Sequence, residues 1–513
     1  MTETATQLPI SLNILVDSIR EAVNSTLDET LRSKLGQFMS SSALSELMAN
    51  LFESYAGEHE ILDAGAGVGS LTAAFVQNAT LNGAKSISST CYEVSEVMTH
   101  NLIQVLELCK IRAMEFEINW QQKIIESDFI QASVEQLLIE NYSPKYNKAI
   151  LNPPYLKISA KGRERALLQK VGIEASNLYS AFVALAIKQL KSGGELVAIT
   201  PRSFCNGPYF NDFRKQMLNE CSLNKIHVFN SRKSAFKADN VLQENIIYHL
   251  TKGEAQRKII TVYSSKCAND VNPTIFEVPF DEIVKSNNPG LFIHIVTNEQ
   301  ERELANQAGG LPCSLSDLGI QVSTGKVVDF RTRENLSKEY IPNSVPLIFP
   351  QHLQNCSIVW PIIKAKKPNA LIVNEATSSL MVPNGIYVLT RRLTAKEEKR
   401  RIVASIYYPE IANVDTVGFD NKINYFHAHG KPLDNRLAKG LWVFLNSTLI
   451  DKYFRQMNGQ TQVNATDLRA LRYPTREQLE DIANQVDFDE FEQEKIDEII
   501  NQSLQLMQHH LTR

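Results

Sequence analysis

The chain has 513 residues, of which 43 % are hydrophobic and 21 % are charged, close to the average for a globular protein. This composition excludes a disordered chain, a collagen and a small disulfide scaffold, and the length predicts at least two domains. The formal net charge of -4 gives no general affinity for a polyanion, so any binding of nucleic acid requires a local cluster of positive charge.

The seven cysteines are scattered along the chain, and none belongs to a C-x-x-C pair. We therefore expect reduced, mostly buried thiols rather than a zinc site or a disulfide framework. No run of eighteen apolar residues occurs, and the N-terminal residues MTETATQLPISLN lack the pattern of a signal peptide. These features predict a cytoplasmic protein without a membrane partner or a metal site.

The apolar residues of segment 11–54 recur at three- and four-residue steps, a spacing typical of amphipathic helices. Short apolar runs then alternate with segments of helical length. This alternation predicts a doubly wound α/β domain with a largely parallel sheet. The runs predicted as strands lie at residues 60–65, 87–94, 123–130, 148–155, 195–201 and 225–230.

The alternation ends beyond about Thr251, and segment 271–290 has turn residues at both ends, as is typical of a junction. We therefore expect a first domain at residues 1–255 and a second domain of mixed α+β composition at residues 256–513. The second domain contains short strand-like runs, followed by an acidic helical segment after residue 477. Its other predicted helices lie near residues 393–407 and 440–457.

The first predicted strand leads into a glycine-rich turn that contains Gly65, Gly67 and Gly69. Glycines allow the backbone to turn tightly and to approach a ligand, and the following helix presents N–H groups. Glu93, at the tip of the second predicted strand, is placed to accept hydrogen bonds from both hydroxyls of a ribose. The glycine-rich turn and Glu93 together predict an adenosine-containing cofactor. Both a nicotinamide dinucleotide and S-adenosylmethionine remain possible identities for it.

The fourth predicted strand is followed by Asn152, Pro153, Pro154 and Tyr155. Because prolines lack a backbone donor, this corner offers chiefly acceptors, the Asn152 side-chain oxygen and the Pro153 carbonyl. Two such acceptors would draw the nitrogen of an exocyclic amino group out of conjugation and direct its lone pair at an electrophilic methyl group. Tyr155 supplies a flat face for a stacked base. We interpret the corner as an amine-methylating site that uses S-adenosylmethionine; the alternative is a tight turn capped by asparagine.

DAGAGVGSL, followed by NPPY and NLYSAFVALAIKQLKSGGELVAITPRSF, resembles the catalytic domain of the N6-adenine DNA methyltransferases of the gamma arrangement. The resemblance covers residues 35–252. Segments 321–331 and 440–474 are similar to the target-recognition domains of type II restriction-modification methylases. The resemblance implies a Rossmann-like methyltransferase sheet at residues 1–255, a mixed α+β target-recognition domain at residues 256–513, and double-stranded DNA as the partner. Any cognate restriction endonuclease would be a separate chain.

The resemblance also assigns roles to single residues. Ser41 replaces the proline that is usual in the segment ahead of the glycine turn. Phe236 lies where the family has a second aromatic that packs on the flipped base, with ordinary core packing as the alternative. The implied cofactor contacts are Ser40 to the methionine carboxylate, Asp63 with the backbone of Gly65, Ala66 and Gly67 to the methionine part, Glu93 to the ribose, and Asp128 with Phe129 to the adenine ring.

The residues predicted to contact DNA lie in the second domain, because Arg, Lys, Asn and Gln are the side chains that read base edges and bind phosphates. The turn RQMNGQTQ contributes Arg455, Asn458, Gln460 and Gln462. A second cluster of basic residues is also a candidate for DNA contact. Its alternative interpretation is a solvated helix face, since two glutamates interrupt it. That cluster consists of Arg391, Arg392, Lys396, Lys399, Arg400 and Arg401.

Other functions remain open at this stage. The NPPY motif also fits methylation of cytosine N4, of guanine N2 in ribosomal RNA or of a glutamine amide. The large second domain argues against the glutamine substrate, and a ribosomal RNA enzyme would be more basic. A non-catalytic DNA-binding specificity subunit is a different class, against which the intact glycine and NPPY motifs argue. We find no P-D…E-x-K constellation for a fused nuclease.

Overall fold

The structure is a computed structural model that describes residues 11–26, 39–229, 244–285, 290–364, 366–395, 397–459, 461–486 and 492–511, with side chains described as far as Leu504. The chain forms two compact units, residues 1–297 and residues 298–513.

The described strands of the first unit form one sheet in the order β3-β2-β1-β4-β5-β7-β6-β8-β9. The strands β3, β2, β1, β4 and β5 run parallel, and β7 lies antiparallel between β5 and β6. This is the predicted Rossmann-like α/β fold. The bounds are β1 Gly57–Ala64, β2 Ala84–Tyr92, β3 Asn119–Ile125, β4 Tyr146–Leu151, β5 Leu190–Pro201, β6 Cys221–Phe229, β7 Asn245–Lys252, β8 Ile259–Ser265 and β9 Thr274–Pro279.

Helices of the first unit bury both faces of the central strands. Val197 and Ile199 of β5 belong to a core shared with α1, α2 and α3. Leu196 and Ala198 point to the opposite face by strand alternation and are also fully buried. Burial on both faces explains why these strands are continuous apolar runs. The helices are α1 Leu12–Thr26, α2 Ser42–Ala49, α3 Ser70–Leu81, α4 Glu96–Glu115, α5 Phe129–Leu137, α6 Arg163–Gln169, α7 Leu178–Gln189, α8 Asn211–Glu220 and α9 Phe280–Ile283.

The first unit extends further along the chain than the sequence predicts. Strands β8 and β9 continue the sheet, because β8 pairs with β6 and β9 pairs with β8. The predicted junction at residues 271–290 therefore contains a strand and a helix of the first unit. The division lies between residues 297 and 298 instead of 255 and 256.

The second unit contains two larger sheets and a two-stranded sheet of β13 and β14 among its described residues. Their orders are β10-β20-β17-β18 and β11-β15-β12-β19-β16. The strands are β10 Gln321–Thr324, β11 Leu336–Ser337, β12 Ser344–Ile348, β13 Leu353–Gln354, β14 Ser357–Ile358, β15 Ala370–Ile372, β16 Met381–Pro383, β17 Tyr387–Arg391, β18 Ala404–Tyr407, β19 Thr416–Phe419 and β20 Ile423–His427.

The helix predicted at residues 393–407 is wrong, because the described part of this segment consists of turns and strand β18. The predicted helix at residues 440–457 belongs to two helices, since Ser447 caps the second one by accepting a hydrogen bond from the Ile450 N–H. The helices of this unit are α10 Glu299–Gly309, α11 Asn435–Leu445, α12 Thr448–Met457, α13 Ala465–Ala470, α14 Arg476–Ala483 and α15 Gln493–Leu511.

All seven cysteines are unpaired, and five of them are buried. Within the described ranges, no group of three or more His, Cys, Asp or Glu side chains is arranged to hold a metal ion. No helix in the same ranges is long and apolar enough to cross a membrane.

Candidate active site

A cavity of about 290 Å³ lies where the parallel strands of the first unit end. The loops after β1, β2, β3 and β4 form its wall, together with the segment before α2 and the first turns of α7. Its lining brings together residues from Met39 to Phe182. The predicted site residues in this lining are Ser40, Gly65, Ala66, Gly67, Glu93, Asp128, Phe129, Asn152 and Pro154.

The glycine turn after β1 has the backbone conformation that its sequence requires. Gly65, Gly67 and Gly69 have φ values of 76°, 56° and 89°, in the left-handed region that other residues rarely adopt. At Gly69 a Cβ atom would also lie 2.7 Å from the Leu102 side chain. The N–H groups of Gly65 and Ala66 both donate to the Tyr92 carbonyl, at 2.9 Å each. Because these donors are engaged, the start of the turn offers a ligand acceptors rather than donors.

Glu93 follows β2, is 5 % exposed and lines the cavity. Its Oε2 accepts from the Gly67 N–H at 2.8 Å, and its Oε1 accepts from the N–H groups of Val94 and Ser95 at 2.9 and 2.8 Å. The carboxylate therefore connects the ends of β1 and β2. This position at the tip of the second strand is the one that the sequence predicts for a ribose contact.

Asp63 lies in β1 and is completely buried, and it is not among the residues that line the cavity. Its Oδ2 accepts from the Thr72 hydroxyl at 2.7 Å, while Oδ1 has no hydrogen-bond partner among the described residues. Burial raises the pKa of this carboxyl to about 7, against the hydrogen bonds from Thr72 and with a smaller contribution from Glu93. The predicted direct contact with the cofactor is therefore not supported, because Asp63 connects the strand to helix α3 instead.

Asn152 lies at the end of β4, and both ends of its side-chain amide have partners. Its Nδ2 donates to the Ser40 hydroxyl at 3.0 Å, and its Oδ1 accepts from the Tyr155 hydroxyl at 3.1 Å. Ser41, which replaces the usual proline, caps α2 by accepting from the Leu44 N–H. Ser40 and Ser41, ahead of the glycine turn, are thus bonded to the NPPY corner and to helix α2.

Two residues of this corner, Pro153 and Tyr155, do not line the cavity. Pro153 is buried, and Tyr155 is half-buried with its ring in an edge contact with Tyr179 at 6.2 Å between centroids. Burial raises the pKa of the Tyr155 phenol, so the group stays neutral and can donate a hydrogen bond. Since Asn152 and Pro154 share one cavity with Gly65 and Gly67, the corner and the glycine turn face the same space.

An aromatic wall borders the cavity beyond Glu93. Phe129 is 2 % exposed and packs on Phe182 of α7 and on Tyr92, with ring centroids 5.0 Å apart in both pairs. Asp128 caps α5 through a 2.8 Å hydrogen bond from the Gln131 N–H and is exposed at the cavity. Sequence reasoning missed Phe182 and Leu178. Helix α7 is apolar all round, so its sequence does not indicate which residues face the cavity.

The predicted DNA-contacting residues of the second unit differ in their exposure. Asn458 is 1 % exposed and contacts the protein interior, donating to Asp467 at 2.9 Å and accepting from Arg401 at 3.2 Å. Arg455 donates to Asp451 at 2.7 Å and to the Glu398 carbonyl at 2.9 Å. The buried Asn458 is therefore held within the second unit instead of exposed for a base contact, while Arg455 is half-buried and its base contact stays a prediction. Gln462 is exposed, while Gln460 and Phe236 lie outside the described residues.

The basic cluster at residues 391–401 does not form a solvated helix face. Arg401 is fully buried and binds Asn458 and Thr394, and its guanidinium lies 5.6 Å from the centre of the Phe454 ring. Arg400 donates to the Ser447 carbonyl at 2.9 Å, and Arg392 donates to that of Asn421 at 3.2 Å. Arg391 donates to the Leu353 carbonyl. Lys399 is exposed, and Lys396 lies outside the described residues.

A Rossmann-like sheet whose glycine turn and Asn-Pro-Pro-Tyr corner border one cavity is the architecture of a methyltransferase domain. In agreement with this, the family described as Eco57I restriction-modification methylase matches residues 70–236. The structure also superposes on one described as a DrdV–DNA complex, with a TM-score of 0.50 and 11 % identity over 92 % of this chain and 59 % of that chain. At this identity the superposition shows the fold alone.

Two relatives match nearly the whole chain. The sequence is 94 % identical over 507 residues to the type II methyltransferase M.PstI of Providencia stuartii, covering 99 % of this chain and 100 % of that protein. It is 44 % identical over 470 residues to the type II methyltransferase M.BsuBI of Bacillus subtilis, covering 90 % and 92 % respectively. The chain therefore belongs to the type II DNA methyltransferases of restriction-modification systems.

Proposed function

We propose that the protein transfers a methyl group from S-adenosylmethionine to N6 of an adenine rotated out of double-stranded DNA, as the modification half of a restriction-modification system. The observation that carries this proposal is the shared cavity of the Asn152 corner and the Glu93 loop. A cognate endonuclease that acts on the same site would be a separate chain.

The chemistry of the cavity fits S-adenosylmethionine, which supplies an electrophilic methyl group when bound. The Glu93 carboxylate suits two neighbouring ribose hydroxyls, since each of its oxygens can accept more than one hydrogen bond. Phe129 and Phe182 suit a purine ring, and Asp128 at the rim suits an exocyclic amine. The Ser40 hydroxyl and the acceptor-rich glycine turn suit the carboxylate and the ammonium of the methionine part.

Asn152 is the residue that would bind the amino group of the target. The bond from its Nδ2 to Ser40 fixes the amide plane, and an amide oxygen can accept more than one hydrogen bond. The Asn152 Oδ1 and the Pro153 carbonyl would accept the two amino protons and localise the nitrogen lone pair. Catalysis then derives from alignment and from these acceptors. The nitrogen becomes acidic on alkylation and loses its proton to solvent, so no strongly basic side chain is required.

An adenine inside a duplex hides its amino group, and rotating the nucleotide out costs a few kcal/mol. Stacking on an aromatic ring contributes roughly 1–3 kcal/mol per base. Tyr155 is the candidate for this contact, and its hydroxyl bond to Asn152 supports the assignment because it holds the ring at the corner. Phe236 remains the predicted second aromatic partner. The second unit would supply target recognition, with Gln462 and Gln460 as the candidates of the RQMNGQTQ turn.

The proposal is tested by incubating the purified protein with duplex DNA and S-adenosylmethionine labelled in its methyl group. The DNA is then digested to nucleosides, which are identified by mass spectrometry. We expect the label in N6-methyladenine. Label in N4-methylcytosine, or no transfer, would contradict the proposal. Sequencing of modified bases in DNA from cells that express the protein would identify the methylated site.

Two substitutions separate chemistry from cofactor binding. We expect Asn152→Ala to lower methyl transfer at least about 100-fold, the loss typical of a removed acceptor or donor at the reacting centre, with cofactor affinity within a few-fold. Glu93→Ala should chiefly weaken cofactor binding. Calorimetry and single-turnover transfer measure both effects, and Glu96→Ala, an exposed carboxylate three residues on, is the matched control. Near-normal turnover of the Asn152 variant would show that the acceptor role is wrong.

A further inference from the structure

The connection between β5 and α8, residues 202–210, presents an exposed aromatic side chain near the candidate active site. Tyr209 is 77 % exposed, whereas the adjacent Phe210 is 5 % exposed. Pro208 is exposed as well. The tip of this connection is therefore an apolar projection of two residues. The proposed reaction uses neither of them.

One side chain, that of Arg214, binds several carbonyls of this connection. Arg214 of α8 is fully buried and donates to the carbonyls of Phe204, Asn206 and Gly207 at 2.8, 3.0 and 2.9 Å. It also donates to the Gly290 carbonyl at 2.7 Å. Gly207, with φ of 77° and ψ of 153°, adopts a conformation that is essentially restricted to glycine. Tyr209 thus projects from an ordered turn.

A series of ring contacts connects this turn to the NPPY corner. Phe210 stacks on Tyr179 at 5.7 Å between centroids and an interplanar angle of 24°. Tyr179 in turn contacts the Tyr155 ring and shares a hydrogen bond of 2.9 Å with Ser203 of the same connection. Phe210 is therefore connected to Tyr155 through Tyr179. Tyr209 is the exposed residue next to Phe210.

We propose that Tyr209 inserts its ring into the duplex beside the flipped nucleotide and stacks on a base that the flipping leaves uncovered. This inference rests on the proposed function. Flipping removes the stacking contacts of the neighbouring bases, and proteins that open base steps insert apolar side chains, proline among them. The ordered turn keeps Tyr209 at a fixed place relative to Tyr155. Tyr209 would therefore fill the gap in the duplex while Tyr155 stacks on the flipped base.

The test uses the full-length protein and a duplex with 2-aminopurine at the target position of the mapped methylation site, whose fluorescence rises when the base leaves the stack. We expect Tyr209→Ala to reduce this rise and to lower kcat/KM on the adenine duplex by about 10-fold or more. Tyr209→Phe, which keeps the ring, should stay within about twofold of the wild type. Phe116→Ala is the matched control, since Phe116 is 40 % exposed and precedes β3, an edge strand of the sheet.

A mismatch opposite the target adenine removes part of the flipping cost, so it should restore Tyr209→Ala to within about threefold of the wild type. Cofactor affinity and thermal stability should be unchanged, because the side chain is exposed. An unaltered rate of Tyr209→Ala, or an equal loss on paired and mismatched duplexes, would overturn the inference alone. A wild-type protein that transfers no methyl group to adenine would overturn the proposed function and this inference with it.

Discussion

The Glu93 carboxylate accepts three backbone hydrogen bonds within the protein. The sequence predicts this residue as a ribose acceptor from its place at the tip of β2. The structure adds a bond to Gly67, which links the acceptor to the conformation of the glycine turn. A change at Glu93 therefore alters both the shape of the cofactor site and its charge, so its effect on affinity should be read beside a measurement of stability.

Asp63 should make the stability of the protein depend on pH in a defined window. Its pKa of about 7 in the folded state exceeds the ordinary value of 3.8, so the unfolded chain binds fewer protons between these values. Its stabilising contribution is complete below about pH 4 and is lost as pH rises to about 7. Asp63→Asn removes this group, so the stability of the variant relative to wild type should increase across the window, by on the order of a few kcal/mol in total. Thermal melting at a series of pH values measures the difference.

Thr72→Val provides the control for this assignment. The Thr72 hydroxyl donates to Asp63 and lowers the pKa of its carboxyl. In the valine variant this pKa should be higher, so the loss of stability with rising pH should continue above pH 7. A constant difference between wild type and Asp63→Asn from pH 4 to pH 8 would show that Asp63 does not titrate in this window.

At the scale of single residues, the sequence identifies those whose chemistry is unusual for their place in the pattern. The glycines of the turn, Glu93 after a strand and Asn152 before two prolines are such residues. Phe182 and Tyr209 are ordinary aromatics in apolar or mixed segments, and only the tertiary structure distinguishes a cavity wall from an exposed tip. Asp63 lies directly before the glycine turn. The sequence alone does not show whether its carboxyl is buried in the protein or contacts a ligand.

The turn after helix α12 combines structural and exposed polar residues. We expect Asn458→Ala to destabilise the protein by on the order of 3 kcal/mol, because it leaves the buried Arg401 and Asp467 without this partner. The affinity of the folded variant for its DNA site should stay within about twofold. Gln462→Ala should leave thermal stability unchanged and weaken site binding by about 10-fold, as for a lost base contact.

These two variants are compared by thermal melting and by DNA binding at a temperature at which both are folded. Thr461→Ala is the control, since Thr461 is exposed in the same turn. A large loss of DNA affinity in Asn458→Ala at unchanged melting temperature would restore the predicted base contact for this residue.

At the scale of elements, periodicity predicts β1 to β6, helped by the burial of the central strands on both faces, but it misses β7 and β8. It also fails for β9, where half of the residues are exposed at the edge of the sheet. It also fails at residues 393–407, where a run of Glu, Lys and Arg favours a helix by propensity. Tertiary hydrogen bonds from Arg392, Arg400 and Arg401 bind this segment to other parts of the unit and override that propensity.

For the whole molecule, the position of the division between the two units predicts which fragments fold. A fragment of residues 1–255 lacks β8 and β9, and its β6 edge, apolar and buried in the intact sheet, would be exposed to solvent. We expect this fragment to aggregate. A fragment of residues 1–297 keeps both strands and the Gly290 carbonyl that Arg214 binds, so it should stay in solution and bind S-adenosylmethionine within about threefold of the full chain.

Size-exclusion chromatography and calorimetry on the two fragments measure these outcomes. A third fragment, residues 1–310, is the control for fragment length. If the fragment of residues 1–255 were as monomeric and heat-stable as the fragment of residues 1–297, β8 and β9 would be dispensable for the sheet.

The insertion of β7 between β5 and β6 has a consequence for biosynthesis. The two sheet neighbours of β6, β7 and β8, are both later in sequence, so β6 has no native partner when it leaves the ribosome. Strands β1 to β5 can pair in the nascent chain, but the free edge of β5 stays open until residue 252 has emerged. During translation of residues 202–252 the growing polypeptide therefore carries an unpaired, apolar strand edge, the kind of surface that chaperones shield.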